Sequence, residues 1–283
     1  MHRIGGYYLK KRLRSPITWF GGKGNMVSKI LPFLSSDHRI YVEPFGGGAS
    51  VLFAKEPAPL EVYNDLDLGL VNLFRVLRDQ EKFTRFYHYA SFTPYAREEW
   101  KASRDWADYT DDVVRAYKWF VLTRQSFSGL RNSWGRVVSA GDRGITKTCS
   151  SWLSTLEMLP EIHYRLMRVQ IENKDFRDIL KDYDTAETLF YCDPPYVPET
   201  RREGGYNHEL SMDDHQELVE ILLGLQGKVV LSGYNHKVYE PLEKAGWQRT
   251  DFETYCTATG RTKATRNISR EQLKRVESVW VKV

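Results

Sequence analysis

The residues with the clearest chemical potential are Asp193-Pro194-Pro195-Tyr196, which follow the short apolar run Leu189-Phe190-Tyr191-Cys192. That run reads as a buried strand from its β-propensity. Two prolines lock φ and supply no backbone N–H, so the strand must stop and the turn is stiff. The turn then holds a carboxylate, the proline carbonyls and an aromatic face together at the carboxyl end of a strand, where open α/β sheets bind their ligands. A planar, amine-bearing ring fits this cluster. Tyr196 can stack on it, while Asp193 and the Pro194 carbonyl accept its N–H groups. A plain strand-ending turn would use the same residues, so the reading needs company from elsewhere in the chain.

Two glycine-rich turns supply that company. Pro16-Ile17-Thr18-Trp19-Phe20-Gly21-Gly22-Lys23-Gly24 carries a flat wall, Trp19, and a point charge for a carboxylate, Lys23. A helix is expected after it, from about Asn25 to Phe33. Further on, Arg39 to Val42 reads as a strand, followed by Glu43-Pro44-Phe45-Gly46-Gly47-Gly48 and a helix through about Ala54. Strand, glycine loop and helix bring a ligand against backbone N–H groups at a helix start. The spacing is not GxGxxG and there is no Walker lysine, so neither NAD nor ATP is indicated. A second strand, Glu61 to Asn64, ends at Asp65, where a ribose hydroxyl pair is usually gripped.

The remaining elements must position these groups. A helix follows from Asp67 to about Leu77. The strand–helix rhythm then stops between about Arg78 and Arg168 in favour of helical, aromatic sequence: Tyr95 to Trp106, Asp111 to Arg124, and Trp152 to Arg165. Inside it lies Arg124-Gln-Ser-Phe127-Ser128-Gly129-Leu-Arg131-Asn132-Ser-Trp-Gly-Arg136, a polar loop that could present Arg and Asn to base edges and insert Phe127 between steps. The rhythm returns with a strand at 168–172, then Asp175-Phe176 and a helix to about Lys181. Ser211 to Asp214 resembles a capping box opening another helix. Lys228 to Ser232 reads as a buried strand, and Trp247–Tyr255 with Val276–Val283 as a closing antiparallel pair. The expected organisation is an α/β sheet domain, 1–77 plus 166–283, interrupted by a smaller helical domain, 78–165.

Composition sets the outer limits. The chain has 283 residues, with 41% hydrophobic and 28% charged residues, as in an ordinary globular protein. No apolar run approaches the ~20 residues needed to span a bilayer, and no apolar leader of signal-peptide type is present. Cys149, Cys192 and Cys256 are scattered and lack metal spacing, so the expectation is a reducing cytoplasm and no structural metal. The net charge of +4 is concentrated near the two ends. One basic group precedes Asp37; the other, including Arg261 and Lys263, lies beyond Tyr255 and suits a polyanion.

In this order and at these separations, Trp19–Lys23, Glu43–Gly48 with Asn64-Asp65, and Asp193–Tyr196 resemble the motifs of the Dam-type (D12 class) DNA adenine-N6 methyltransferases. The resemblance covers nearly the whole chain and implies a Rossmann-like methyltransferase sheet with helices on both faces, plus a helical target-recognition domain. It further implies that Trp19, Lys23, Glu43, Phe45, Gly46, Gly48 and Asp65 hold S-adenosyl-L-methionine, with Asp175 and Phe176 flanking its adenine and Asp193 reaching it. Asp193, Pro194 and Tyr196 would act on a flipped-out adenine. Arg124, Phe127, Ser128, Arg131, Asn132 and Arg136 would meet double-stranded DNA, with Arg261 and Lys263 at its backbone. Ser128 stands where that family commonly has asparagine. The implied enzyme is a cytoplasmic, nucleoid-associated monomer, of a kind that mobile elements also encode. The competing readings are an N4-cytosine methyltransferase, an enzyme acting on RNA or a protein amide, and a non-catalytic DNA-binding protein on the same scaffold. A carbon methyltransferase is disfavoured because no Pro-Cys pair exists to supply a thiolate nucleophile.

Overall fold

The structure, a computed structural model, describes residues 3–4, 7–8, 12–19, 21–141, 143–200, 208–255 and 274–282. In chain order its strands are β1 (Arg3–Ile4), β2 (Tyr7–Tyr8), β3 (Ile40–Glu43), β4 (Leu60–Asn64), β5 (Val169–Glu172), β6 (Thr188–Cys192), β7 (Lys228–Tyr234), β8 (Gln248–Tyr255) and β9 (Lys274–Val281). The first half of the chain contributes helices α1 (Val27–Ile30), α2 (Ser50–Ala54), α3 (Leu68–Arg78), α4 (Gln80–Ser91), α5 (Arg97–Ala102) and α6 (Asp112–Arg124). The second half adds α7 (Lys147–Leu166), α8 (Phe176–Asp182), α9 (Met212–Gly224) and α10 (Glu240–Lys244).

Seven strands form one sheet in the order β5-β4-β3-β6-β7-β9-β8. From β5 to β7 the pairs are parallel, and β9 pairs antiparallel with both β7 and β8. The strand order reverses between β3 and β6, which creates the crevice where doubly wound sheets bind ligands. Alternation along the strands supplies both faces. Tyr41, Tyr63, Leu189, Tyr191 and Val230 enter one hydrophobic cluster, while Val42, Val62, Phe190, Cys192 and Val229 enter the other. Residues from α2, α3, α4, α6 and α7 cover the first face, and those from α8, α9 and α10 the second. This is the expected α/β, Rossmann-like sheet with helices on both sides.

Local sequence sets the element ends. Asp67 caps α3 by accepting from the Gly69 and Leu70 amides, and Asp111 caps α6 from Val113 and Val114. Ser211 and Asp214 form the expected capping box on α9. Two helices are shorter than expected. The 25–33 stretch splits into a 3-10 turn, α1 and a second 3-10 turn, because Pro32 supplies no N–H for a continuous helix. The 95–106 stretch is helical only in α5 and in a 3-10 turn at Trp106–Asp108; Ser103 Oγ donates to Glu99 O and the chain turns out of α5.

Helices α4, α6 and α7 share one apolar cluster with the sheet face. A buried ion group ties them down: Arg165 at the end of α7 donates to Glu61 on β4, and Lys55 Nζ reaches the same carboxylate at 2.7 Å. Among the described residues no helix is long and apolar enough to cross a membrane. Arg261, Lys263 and Cys256, together with the Arg201–Gly205 part of the loop after Tyr196, lie outside the described residues.

Candidate active site

The carboxyl ends of β3, β4, β5 and β6 open on one cleft. All the residues expected to meet S-adenosylmethionine line it: Trp19, Lys23, Glu43, Phe45, Gly46, Gly48, Asp65, Asp175, Phe176 and Asp193. The glycine loop is shaped by its neighbours. A Cβ on Gly46 would lie 2.2 Å from the Tyr63 ring, so only glycine fits there. The Tyr63 hydroxyl donates to Gly47 O at 2.8 Å, and Gly47 and Ala49 take left-handed φ values of 47° and 54°. Asp65 Oδ2 accepts from the Gly47 amide at 2.8 Å and its Oδ1 from the Asp67 amide at 2.8 Å. Burial raises Asp65 to about 6, against those two hydrogen bonds.

Asn64 fastens the two rims of the cleft. Its amide donates to Pro44 O at 2.8 Å and Lys174 O at 2.9 Å, and its carbonyl accepts from the Lys174 amide at 2.8 Å. Phe45 and Phe176, one from each rim, have ring centroids 5.2 Å apart. Glu43, 2% exposed, is raised to about 8 by burial, which outweighs the hydrogen bond it accepts from the Tyr41 hydroxyl at 2.7 Å.

Asp193 follows β6 directly. Its Oδ1 lies 2.6 Å from Lys23 Nζ and accepts from Ser232 Oγ at 3.0 Å. Burial pushes Asp193 up, while the Lys23 charge pulls it down. Lys23 therefore reaches across the switch point to the opposite strand's carboxylate, a contact its glycine-rich turn did not foretell.

Three expectations change. Pro194 and Tyr196 do not line the cleft. The Tyr196 ring is no open wall: it is 7% exposed, Tyr234 packs on it with centroids 4.3 Å apart, and Lys23 Nζ lies 4.6 Å from its centroid. Arg131 is drawn in against the fold. It pairs with Asp67 at 3.6 Å and stands 5.6 Å from the ring centroids of both Trp19 and Trp119, because its left-handed φ of 61° turns the loop back on the cleft. Arg124 donates from its two Nη atoms to Thr18, Ser151 and Thr155, which clamps the end of α6 to the Trp19 segment and α7. Phe127 is half-buried, and Ser128 takes a left-handed φ of 52°. Asn132 and Arg136 are exposed, as a binding role requires.

Sequence reading missed several lining groups. Lys174, Tyr191 and Leu210 flank recognised motifs, so neighbourhood could have suggested them. His208 and Glu209 come from the segment before α9, where no motif marks them. Tyr234, at the end of β7, was signalled only by its strand's adjacency to β6. Among the described residues no group of three or more His, Cys, Asp or Glu is placed to hold a metal ion.

The chain is similar in sequence to several DNA methyltransferases. The chain is 27% identical over 217 residues to the DNA N-6-adenine-methyltransferase of Escherichia phage P1, covering 74% of this chain and 28% of that protein. It is 24% identical to the type II methyltransferase M.CviBI of Paramecium bursaria Chlorella virus NC1A, and 25% identical to M.MjaIII of Methanocaldococcus jannaschii. Each of these matches covers 64% of this chain and 68% of the relative. The chain thus spans little more than a quarter of the phage relative's length. Residues 19–255 match the family described as D12 class N6 adenine-specific DNA methyltransferase. That span runs from the Trp19 wall to the end of β8 and takes in every group that lines the cleft, so the chain belongs to the D12 class of N6 adenine-specific DNA methyltransferases.

Proposed function

We propose that this chain transfers a methyl group from S-adenosylmethionine to the N6 amine of an adenine flipped out of duplex DNA at specific sites. The observation that carries the reading is the opening of the Asp193 carboxylate and the Gly46–Gly48 loop onto one cleft at the strand-order reversal. The cofactor fits the donors present. Asp65, Asp67, Asp175 and Asp193 give the cleft an acidic lining suited to a sulfonium cation, while Lys174 suits a carboxylate. Phe45 and Phe176 offer flat faces for its adenine. Bound there, it supplies an electrophilic methyl group.

The chain's own residues do the rest. An exocyclic amine is a poor nucleophile because its lone pair is delocalised into the ring. Asp193 and the Pro194 carbonyl accept its two N–H groups, which favours a tetrahedral nitrogen and stabilises charge developing there. Ser232 and Lys23 fix the Asp193 carboxylate in place. Holding both reactants in line is the other large contribution, about 7–11 kcal/mol for well-oriented partners. Base flipping costs a few kcal/mol, offset by contacts from the 124–136 loop, where Asn132 and Arg136 are the exposed candidates. Tyr234 must yield its place on Tyr196 if the flipped ring is to stack there. The helical unit, 78–165, acts as the target-recognition domain, and a monomer suffices. The phage origin of one relative supports a mobile-element source.

The test is incubation with labelled cofactor and plasmid DNA, digestion to nucleosides, and identification of the modified base with its neighbours. N6-methyladenine in a fixed context is the expected product; N4-methylcytosine or unmodified DNA refutes the reading.

A further inference from the structure

The ion pair at Asp193 continues beyond Lys23. Lys23 Nζ also stands 2.5 Å from the Tyr196 hydroxyl, and that hydroxyl donates to Glu277 Oε1 at 2.9 Å. Asp193, Lys23, Tyr196 and Glu277 form an unbroken hydrogen-bonded row from the end of β6 to β9. The other Glu277 oxygen, Oε2, is buried with no hydrogen-bond partner among the described residues. Burying an acceptor without a partner is unfavourable, so its retention calls for a reason. The row holds two carboxylates and one ammonium, hence a surplus of one negative charge.

We infer that this row is a proton path, and that Glu277 is the terminal acceptor of the proton which the target amine must lose. The inference rests on the methyl-transfer reading. As the amine nitrogen bonds to the methyl carbon, the carbon–sulfur bond breaks and its electron pair stays on sulfur. The nitrogen then carries one proton too many. Asp193 takes that proton and passes it to Lys23, while the Lys23 ammonium releases one to the Tyr196 oxygen and the Tyr196 hydroxyl releases its own to Glu277. Lys23 and Tyr196 end as they began, Asp193 is again a carboxylate, and Glu277 is a neutral acid. The surplus negative charge faces a sulfonium before transfer and is cancelled by the proton afterwards, so the site's total charge is unchanged. Burial raises Asp193 above the usual carboxylate range, which suits a transient proton carrier.

The groups around Glu277 come from each neighbouring element. Tyr196 and, behind it, Lys23 and Asp193 face it from the loops. Tyr234 is its register partner on β7, and Phe252, with Lys29 Nζ 5.4 Å from its ring centroid, is its partner on β8. Arg275 precedes it by two residues on the same side of β9.

Glu277→Gln keeps an oxygen that accepts from Tyr196 but cannot take a proton. Single-turnover methylation of duplex DNA is measured from about pH 6 to about pH 9 for the wild type, Glu277→Gln and Glu277→Asp, with cofactor affinity measured by calorimetry. Methyl transfer in Glu277→Gln is expected to slow at least about tenfold, toward the range typical of lost general acid–base groups. The Glu277→Gln profile should differ in shape from the wild type's, cofactor affinity should stay within about twofold, and Glu277→Asp should recover part of the rate. A Gln variant with the wild-type rate and profile overturns the path, as does one whose cofactor affinity falls in step with its rate. If the wild type itself forms no N6-methyladenine, the methyl-transfer reading fails, and the path with it.

Discussion

Lys23 Nζ lies 2.6 Å from Asp193 Oδ1, with the lysine side chain 4% exposed and the aspartate 17%. Two motifs separated by most of the chain thus share one buried ion pair, and the ammonium opposes the effect of burial on the carboxylate. Asp193→Asn removes the charge while preserving shape. Its methyl-transfer rate is expected to fall about 10²–10³-fold, the usual loss for a preorganised charge-stabilising group. DNA affinity, measured by fluorescence anisotropy, should hardly change. Near-normal turnover would contradict the role given to this carboxylate.

Glu43 gives a pH signature with a definite sign. Its folded value, about 8, lies above the ordinary 4.5 because burial favours the neutral acid. Its contribution to stability is therefore complete below about 4.5, shrinks as pH rises, and is lost by about 8. Glu43→Gln cannot ionise and still accepts from Tyr41. Thermal melts across this window should show the variant gaining on the wild type as pH rises, by a few kcal/mol at most. A constant difference between the two proteins would show that Glu43 does not titrate between the folded and unfolded states.

Gly46→Ala sets a methyl group 2.2 Å from the Tyr63 ring. Either the ring or the loop must move, at a cost of about 1–3 kcal/mol. Calorimetry should find cofactor affinity down by an order of magnitude or more, with the sheet otherwise intact by circular dichroism. Unaltered affinity would mean that the loop shape is not what holds the ligand.

Arg131 and Arg136 should separate. Arg131 packs beside Trp19 and pairs with Asp67, whereas Arg136 is exposed. Arg131→Ala is expected to weaken cofactor binding by about 1 kcal/mol, through the lost Asp67 pair and ring contacts. Arg136→Ala should weaken DNA binding and reduce its salt dependence by about one counterion. The reverse pattern would return Arg131 to the DNA surface.

Arg165 is 1% exposed and its partner Glu61 is fully buried. Replacing Arg165 by Met leaves that carboxylate with Lys55 alone, for an expected loss of about 3–5 kcal/mol in urea unfolding. A loss below about 1 kcal/mol would show that Lys55 suffices.

Much of the sheet and of the cleft was legible because short motifs fixed them. Glycine, proline and acid at strand ends have few other physical uses, so Glu43–Gly48 and Asp193–Tyr196 announced their positions. The helical region was less legible. Trp119 is fully buried against Gly69, because α6 is enclosed by α3, α4 and α7 rather than covered on one face. Arg124 and Arg131 read as surface cations because sequence gives the charge and not the direction. The left-handed turns at Ser128, Gly129 and Arg131 decide that direction, and only Gly129 advertises such a turn. Glu277 carried no signal, since its significance comes from pairing β9 beside β7.

The contact of Gly129 with Thr18, where a Cβ would meet the threonine carbonyl oxygen at 2.2 Å, bears on redesign. With Arg124 bonded to the same threonine at 3.0 Å, the 124–136 loop, proposed to meet the duplex, and the segment that leads into Trp19 are cut to each other's shape. Grafting a relative's loop to change the recognised sequence therefore means transplanting residues 15–19 alongside it. A chimera that exchanges the loop alone inherits a collision beneath it.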